Sequence, residues 1–355
     1  MKRVFEGSVD YLQVLDENGS VDAAQFPKGL DDSKIVEMYR FLSFTRAVDA
    51  KCVSLQRQGR LSTYAPSLGE EATQVGSAMA LRPDDIFVPS FRQHGTFIVR
   101  DLPLDMFFLY WRGFEDGNKI PQNVNGFPYI VPVSTQLTHA VGIAFAQKYA
   151  NKDRAVMTYV GDGGTSEGDF YEAMNFAGVL KVPLVIIIEN NQWAISVPRN
   201  RQSASETLAQ KAFAAGIKCL QVDGNDVIAV YKAVSDAIAD SKDGTTLIEC
   251  VTYRMGMHTT SDDPTKYRKD EEVKAWESRD PILRVRKYLA GKALWNDTME
   301  ASMQDGFKKE IDGAVEKAEA FKPDPTDLFK HVYSFMPQAL KDEYDEAVKE
   351  NFWQA

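Results

Sequence analysis

The central part of the chain alternates short apolar runs with amphipathic stretches. Residues 155–160 and 182–188 are continuous apolar runs rich in β-branched side chains, as is typical of strands buried on both faces of a parallel sheet. The residues between them place apolar side chains at helical spacing: Phe170, Ala173, Met174 and Ala177. The pattern therefore predicts a strand, a helix over about 169–180 and a second strand, which together form a βαβ unit.

The same patterning continues on both sides of this unit. It predicts four further elements: helices over 32–58, 70–81 and 227–239, and a strand over 246–252. Asp31 or Asp32 would cap the first of these helices. From Asp270 onward the sequence is charged and helical, and Pro323-Asp324-Pro325 interrupts it. The fold class predicted is α/β, with a mostly parallel sheet, helices on both faces and a helical C-terminal extension.

Turn residues divide the chain into three parts. Residues 1–30 carry turn signals at Glu17-Asn18-Gly19 and Pro27-Lys28-Gly29 and predict an extended arm. Residues 31–270 contain the predicted sheet and form an α/β domain. We expect residues 271–355 to pack as a helical extension on a partner subunit, rather than to form a catalytic domain of their own.

Polar residues follow each of the two central strands. Gly161-Asp162-Gly163-Gly164 follows the first, and Asn190-Asn191 follows the second. Neighbouring parallel strands end at the same edge of a sheet, where ligands bind. Mg²⁺ prefers six oxygen ligands and shares them among few protein groups and phosphates. Asp162, the amide oxygen of Asn191 and a backbone carbonyl beyond the second strand could supply three, which predicts a site for Mg²⁺ and a diphosphate.

The glycines beside Asp162 support the diphosphate. Glycine tolerates positive φ and lets a ligand approach the backbone closely. The helix expected from about Asp169 would direct its free N–H groups and positive end toward the anion. A lone Gly-Asp-Gly is a common turn, and a lone Asn-Asn is a common loop. Only their combination, each after an apolar strand, favours a ligand site over this structural alternative.

Four stretches of the chain resemble the α subunit of the thiamine-diphosphate-dependent E1 component of 2-oxo acid dehydrogenase complexes. The motif pair lies within residues 161–196 and is shared by thiamine diphosphate enzymes in general. Three further stretches are typical of E1 α chains: FRQHG (91–95), PVSTQLTHAVG (132–142) and YRMGMHTTSDDPTKYR (253–268). The resemblance extends from about Leu30 to Phe335, and it implies the thiamine-diphosphate-binding fold for the α/β domain.

The resemblance assigns roles to individual residues. It implies that Asp162, Asn191 and the carbonyl of Trp193 bind Mg²⁺. Arg92 would pair with the diphosphate, for which a guanidinium fork is well suited. Phe91 stands where the family usually has tyrosine, so one hydroxyl contact to the cofactor is missing or replaced. The implied contacts of thiamine diphosphate are Phe91, Arg92, Val133, Gly161, Asp162, Gly163, Gly164, Asn191 and His258, with Val133 supporting the bent cofactor.

Two histidines are candidates for catalysis. His258 matches the family histidine beside the reacting carbon, although a histidine in such a polar loop is often only solvated. A reference pKa of ~6.5 suits proton transfer and the stabilisation of transient anions. His94 matches a histidine found in some members of the pyruvate branch. Both are therefore predicted to be catalytic, His258 by the stronger match.

The resemblance also implies the activity and the partners. The chain would be the α subunit of an enzyme that decarboxylates pyruvate and transfers the acyl group to the lipoyl group of E2. Two alternatives stay open: a branched-chain 2-oxo acid such as 2-oxoisovalerate, because Ser134-Thr135-Gln136 resembles that branch, and a non-catalytic diphosphate-binding scaffold. The 355 residues suffice for one large α/β domain with extensions. An E1 β subunit would complete the site in an α₂β₂ heterotetramer.

Composition agrees with this picture. Hydrophobic residues make up 44% and charged residues 26% of the chain, as in ordinary globular proteins. The net charge is −10, and the basic residues are not clustered into a stripe, which disfavours nucleic acid as a partner. The apolar runs are too short to span a membrane. The three cysteines form no CxxC pair and predict reduced thiols, so a cytoplasmic location is expected.

Overall fold

A six-stranded sheet, parallel throughout, forms the centre of the computed structural model, which describes residues 1–324 and 326–350. The strands in chain order are Tyr11–Leu12 (β1), Ile86–Val88 (β2), Val156–Gly161 (β3), Leu184–Asn190 (β4), Trp193–Ala194 (β5), Val197–Pro198 (β6), Lys218–Asp223 (β7) and Thr246–Val251 (β8). Strands β5 and β6 form a separate antiparallel hairpin. The others lie in the order β1-β7-β8-β4-β3-β2 across the sheet.

Helices cover both faces of the sheet. In chain order they are Asp32–Arg57 (α1), Glu71–Ala80 (α2), His94–Val99 (α3), Leu104–Trp111 (α4), Thr135–Tyr149 (α5), Gly168–Leu180 (α6), Arg199–Gln202 (α7), Val227–Ala239 (α8), Asp270–Glu277 (α9), Pro281–Gly291 (α10), Asp297–Ala320 (α11), Asp327–Lys330 (α12) and Gln338–Lys349 (α13). None of the described helices is both long and apolar enough to cross a membrane.

Alternate residues of the central strands feed two separate cores. Met157 and Tyr159 of β3 pack into the core that contains α1, α2 and α8. Val156 and Val160 of the same strand pack into the core of α5 and α6. Since side chains alternate between the faces of a strand, only an apolar run can fill both cores. The predicted α/β fold, with helices on both faces of a mostly parallel sheet, is confirmed.

Most predicted elements are present, with shifted ends. Helix α8 has the predicted bounds, and Asp31 caps α1 by accepting the Lys34 N–H at 2.9 Å. Strand β4 ends later than predicted because Asn190, although polar, still pairs with Val251 of β8. Helix α6 begins at Gly168, as expected, but a 3₁₀ turn over Gly163–Ser166 precedes it. Apolar patterning does not reveal a strand that ends in buried polar residues.

The N-terminal arm and the C-terminal helices are attached to the α/β domain to different degrees. Helices α10 and α11 pack on α1 and α4 and enlarge the core on that face. Helices α12 and α13 contain no buried residue and contact each other through Phe329 and Tyr344. Strand β1 of the N-terminal arm pairs with β7. The division of the chain at residues 30 and 270 stays a prediction, and Pro325 and residues 351–355 lie outside the described residues.

Asp226 fastens the N-terminal arm to the α/β domain. Its Oδ1 atom accepts the N–H groups of Ile228 at 3.0 Å and Ala229 at 3.1 Å, which caps α8. Its Oδ2 atom accepts the N–H groups of Val14 and Leu15, both at 2.6 Å. The side chain is buried. One carboxylate therefore satisfies four backbone donors from two distant parts of the chain.

Asp226→Asn should destabilise the protein by ~1–3 kcal/mol, because the amide replaces one accepting oxygen and leaves buried N–H groups without a partner. Urea unfolding of the full chain measures this change. Asp236→Asn is the matched control, since Asp236 lies on the same helix and pairs with Lys232 at the surface; its effect should stay within ~0.5 kcal/mol. Equal effects of the two substitutions would contradict the anchoring role of Asp226.

Candidate active site

A cleft of about 260 Å³ opens at the carboxyl ends of β3 and β4. Gly161 lies opposite Glu189 in this ladder, so Asp162 and Asn190-Asn191 follow at the same edge of the sheet. All the residues predicted to bind metal or cofactor line this cleft: Phe91, Arg92, Val133, Gly161, Asp162, Gly163, Gly164, Asn191, Trp193 and His258. The structure thus gathers them in one place, while their ligand-binding roles stay predictions.

Asp162 is buried with one carboxylate oxygen unpaired. The residue is 1% exposed, and Oδ2 has no hydrogen-bond partner among the described residues. Burial raises the pKa of the carboxyl group to about 6, although backbone N–H groups and Arg254 oppose this shift. A buried anionic oxygen costs free energy unless a positive charge approaches it. The surroundings of Asp162 therefore fit a bound cation.

Two hydrogen bonds orient the Asn191 amide. Its Nδ2 atom donates to Glu70 Oε1 at 3.0 Å, and its Oδ1 atom accepts the Trp193 N–H at 3.2 Å. Glu70 is fully buried, and burial raises its pKa. Because Oε1 of Glu70 accepts and the Trp193 N–H donates, the amide cannot be reversed without losing both bonds. Oδ1 keeps a second lone pair with which it could bind a metal.

The turn around Trp193 carries the carbonyl predicted to bind the metal. Gln192 and Ile195 flank it with φ of 70° and 55°. A β-branched residue such as Ile195 enters this left-handed region only at a cost of about 1–3 kcal/mol. Arg254 holds the turn by donating to the carbonyls of Trp193 at 3.1 Å and Ile195 at 2.6 Å. Strained backbone held by its surroundings is typical of functional sites.

Close packing explains two of the glycines, and none of the three uses the positive φ that glycine tolerates. Gly161, Gly163 and Gly164 are absent from the residues with positive φ. A Cβ atom at Gly164 would lie 2.8 Å from Ser134 Oγ, and one at Gly163 would lie 2.7 Å from Ala194 Cβ. At Gly161 an added Cβ would meet no atom within 4 Å. Gly163 and Gly164 therefore permit close packing, whereas Gly161 leaves open space in the cleft.

Arg92 is buried beside the cleft and presents its guanidinium to several groups. It donates to the carbonyl of Pro66, and to that of His258 at 3.0 Å. Its Nε atom is 3.8 Å from Glu70 Oε1. The ring of Phe91 lies 5.3 Å from the guanidinium and meets the His258 ring edge-on at 6.2 Å. Phe91 thus contributes packing where a tyrosine would add a hydroxyl group.

Val133 projects into the cleft from a strained turn. The residue is half exposed, and Ser134, which follows it at the start of α5, has φ of 69°. Ser134 Oγ donates to the carbonyl of Gly164 at 2.7 Å. This bond joins the turn before α5 to the glycine turn after β3. It therefore fixes the position of Val133 relative to Asp162.

His258 lies between two arginines. Its Nδ1 atom is 3.1 Å from Arg92 Nη2 and 3.4 Å from Arg254 Nη1. Its backbone N–H donates to Asp262 at 2.8 Å. Burial, followed by the charges of Arg92 and Arg254, lowers the pKa of the imidazole to about 4. Of the two roles expected for this ring, the surroundings favour stabilisation of transient anions over proton exchange near neutral pH.

His94 lies in an aromatic core outside the cleft. Its Nε2 atom is 2.8 Å from the carbonyl of Ala65, and its Nδ1 atom is 3.0 Å from the Tyr129 hydroxyl. Burial lowers its pKa to about 3. The structure gives this ring no access to the cleft and argues against the predicted catalytic role. Sequence could not show this, because the enclosing rings come from distant segments: Tyr64, Phe107, Trp111 and Tyr129.

An apolar chamber of about 530 Å³ adjoins the cleft. Four residues line both cavities: Phe91, Val133, Ile195 and His258. Tyr110, Trp111 and Phe114 add aromatic surface to the chamber. His258 therefore borders both the cleft that contains Asp162 and an apolar space, and mostly apolar walls with a few polar groups are usual for a site that positions a small organic ligand.

Sequence reasoning missed three buried residues of the site: Glu70, Ser134 and Arg254. Arg254 lies in the stretch 253–268 and holds the Trp193 turn from outside that turn. Glu70 precedes a segment that is buried at every position from Glu71 to Ala78. The sequence offered one signal for Glu70: two adjacent glutamates, Glu70 and Glu71, begin a helix that has no polar face. Their carboxylates therefore cannot both face water.

Two comparisons with known proteins agree on one family. A family model described as "Dehydrogenase E1 component" matches residues 39–326, a range that includes every residue lining the cleft. A protein named "Pyruvate dehydrogenase E1 component subunit alpha" from Staphylococcus aureus (strain COL) is 43% identical over 344 residues, or 96% of this chain and 93% of that protein. Its namesake from Staphylococcus epidermidis (strain ATCC 12228 / FDA PCI 1200) is 42% identical over the same shares.

Gly164→Ala should destabilise the protein by ~1–3 kcal/mol, because the new methyl group would overlap Ser134 Oγ. Gly168→Ala, four residues later, provides the control: an added Cβ there meets no atom within 4 Å, so stability should change by less than ~0.5 kcal/mol. Denaturant unfolding compares the two variants. A Gly164→Ala protein as stable as Gly168→Ala would show that the glycine turn is not closely packed.

Proposed function

Because the chain belongs to the dehydrogenase E1 component family, as the α subunit of a thiamine-diphosphate-dependent 2-oxo acid dehydrogenase, we propose that it decarboxylates pyruvate and passes the acyl group to a lipoyl group. The relatives named pyruvate dehydrogenase E1 component subunit alpha favour pyruvate over a branched-chain substrate. The same matches favour an enzyme over a silent scaffold. The main structural support for this activity is the unpaired carboxylate oxygen of Asp162, which lies in a cleft lined by the implied cofactor residues.

The metal would be Mg²⁺. Asp162 Oδ2, Asn191 Oδ1 and the carbonyl of Trp193 are the oxygen ligands that this chain would offer. Among the described residues, no group of three or more His, Cys, Asp and Glu side chains could hold a metal ion. Mg²⁺ commonly takes its remaining ligands from phosphates and water. One carboxylate, one amide and one carbonyl are consistent with that preference.

The chain would bind and shield the cofactor. Thiamine diphosphate, when bound, supplies a nucleophilic carbon and an electron sink for decarboxylation. Arg92 would pair with the diphosphate, and the tightly packed glycine turn would offer it backbone N–H groups. Val133 would support the rings, while His258 would face the reacting carbon. The apolar chamber beyond His258 would hold the substrate and exclude water from it.

The partners would be an E1 β subunit and a lipoyl-bearing E2. Large apolar side chains exposed on α5 and α6 give this chain an uncovered surface: Phe145, Tyr149, Phe176 and Val179. A second group lies in the C-terminal extension: Leu328, Val332, Tyr333 and Phe335. Exposed apolar patches of this kind commonly mark subunit interfaces. We propose that a β subunit covers such surfaces in a cytoplasmic α₂β₂ tetramer.

The test is reconstitution of the full chain with its β subunit. Light scattering should give the mass of an α₂β₂ tetramer, and the tetramer should release carbon dioxide from pyruvate faster than from 2-oxoisovalerate when Mg²⁺ and thiamine diphosphate are present. Preference for 2-oxoisovalerate would show that pyruvate is the wrong substrate. A stable tetramer that is inactive with both acids would contradict the proposed activity.

Asp162→Ala should abolish binding of Mg²⁺ and thiamine diphosphate, because the metal loses the one carboxylate proposed to bind it. Calorimetric titration of the tetramer measures the affinity, and circular dichroism checks the fold. Asp153→Ala is the control, since Asp153 lies at the surface near the opposite end of β3 and should leave affinity unchanged. Unchanged cofactor affinity of the Asp162→Ala tetramer would eliminate the proposed metal site.

A further inference from the structure

The contacts of the His258 ring determine which of its nitrogens carries the proton. Nδ1 lies within hydrogen-bonding distance of two guanidinium groups, at 3.1 Å from Arg92 and 3.4 Å from Arg254. A guanidinium has only N–H donors and stays protonated in proteins. Nδ1 must therefore act as the acceptor, which leaves the proton of the neutral ring on Nε2.

The other side of the ring is available to a ligand. No residue in the described part of the chain forms a hydrogen bond to Nε2, whereas the ring lines both the cleft and the apolar chamber. Asp262 accepts the backbone N–H of His258, with Oδ2, and not an N–H of the ring. The lowered pKa of the imidazole agrees with a neutral donor.

Arg254 is held more rigidly than a surface arginine would be. It is 1% exposed. Besides Trp193 and Ile195, its guanidinium contacts the Tyr267 hydroxyl at 3.1 Å. Tyr267 in turn donates to Asp262, which accepts the His258 N–H. The guanidinium and the backbone of His258 therefore belong to one network, which fixes the ring relative to the turn that offers the metal carbonyl.

We propose that His258 acts in the reaction as a fixed Nε2–H hydrogen-bond donor to developing negative charge, and that Arg254 is the positioning residue that holds this tautomer. The inference rests on the proposed function for the identity of the reaction. Arg92 is the residue proposed to pair with the diphosphate, whereas Arg254 is bound to the carbonyls of Trp193 and Ile195 beside the ring, so we assign Arg254 as the donor that holds Nδ1. A ring held in this way offers a preorganised donor, as an oxyanion hole does.

A comparison of His258→Gln with His258→Ala tests the donor role in the reconstituted tetramer. Glutamine retains an uncharged N–H donor at about the reach of Nε2 but cannot exchange a proton near neutral pH. Acyl transfer to a lipoyl domain should fall by ~10² or more for alanine, as when an oxyanion donor is removed, while decarboxylation partly survives. Glutamine should keep transfer within ~10-fold of wild type.

Two outcomes would overturn the donor role. Loss of transfer in His258→Gln equal to that in His258→Ala would mean that the ring must exchange a proton. Unaltered transfer in His258→Ala would remove His258 from the reaction. A wild-type tetramer without activity toward any 2-oxo acid would instead contradict the proposed function. The tautomer of His258 would still be decided by NMR of the histidine ring, as follows.

Solid-state NMR of the tetramer with ¹⁵N-labelled histidine rings reads the tautomer directly, and the His258→Gln spectrum identifies the signal of His258. Nδ1 should be unprotonated and Nε2 protonated, with and without cofactor. Arg254→Lys should give mixed tautomers in the loaded tetramer, because an ammonium cannot donate to Trp193, Ile195 and His258 together. If the Arg254→Lys tetramer does not bind the cofactor, the double variant Arg92→Lys with Arg254→Lys should show mixed His258 tautomers in the cofactor-free tetramer.

Arg268→Lys is the matched control. Arg268 lies on the same loop and donates to the carbonyls of Arg254 and Met255 but not to the His258 ring. It should preserve the wild-type tautomer, which separates loss of a donor from general loosening of the loop. A protonated Nδ1 in the wild type, or a wild-type tautomer in Arg254→Lys, would overturn the inference.

Discussion

The parallel pairing of β3 with β4 is the constraint on which the site depends. Gly161 and Glu189 lie opposite each other, so the residues that follow them, Asp162 and Asn191, are delivered to one edge of the sheet although they are far apart in sequence. A slip of this register would separate the carboxylate from the amide and turn core side chains toward the wrong face. The two apolar cores on either face therefore also determine the geometry of the site.

Carboxyl groups and arginines lie buried together at this edge of the sheet. Glu70, Asp162 and Glu189 are buried carboxyl groups whose pKa values are raised by desolvation. Arg92 and Arg254 lie among them, also almost completely buried. Charges inside a protein are costly unless each is paired. Here Asp162 keeps an unpaired oxygen, so a metal ion and an anion bound together would satisfy groups that the chain alone leaves incompletely paired.

The sequence predicted those parts of the molecule that depend on local pattern. Strands buried on both faces, the helix between them and the two polar strand ends all follow from apolar runs and turn residues. What local pattern could not show depends on contacts between distant segments. The aromatic surroundings of His94, the bond between Glu70 and Asn191 and the arginines around His258 have no local pattern. The glycine turn after β3 combines both. Its residues follow from the sequence, whereas the close packing that requires glycine at positions 163 and 164 depends on Ser134 and Ala194, which lie elsewhere in the chain.

A crystal structure of the α₂β₂ tetramer with Mg²⁺ and thiamine diphosphate would show whether the ends of β3 and β4 bind the metal. We expect one metal ion with Asp162 Oδ2, Asn191 Oδ1 and the carbonyl of Trp193 at about 2.1 Å, together with diphosphate oxygens. A cofactor bound elsewhere, or a metal ion whose ligands include neither Asp162 nor Asn191, would contradict it.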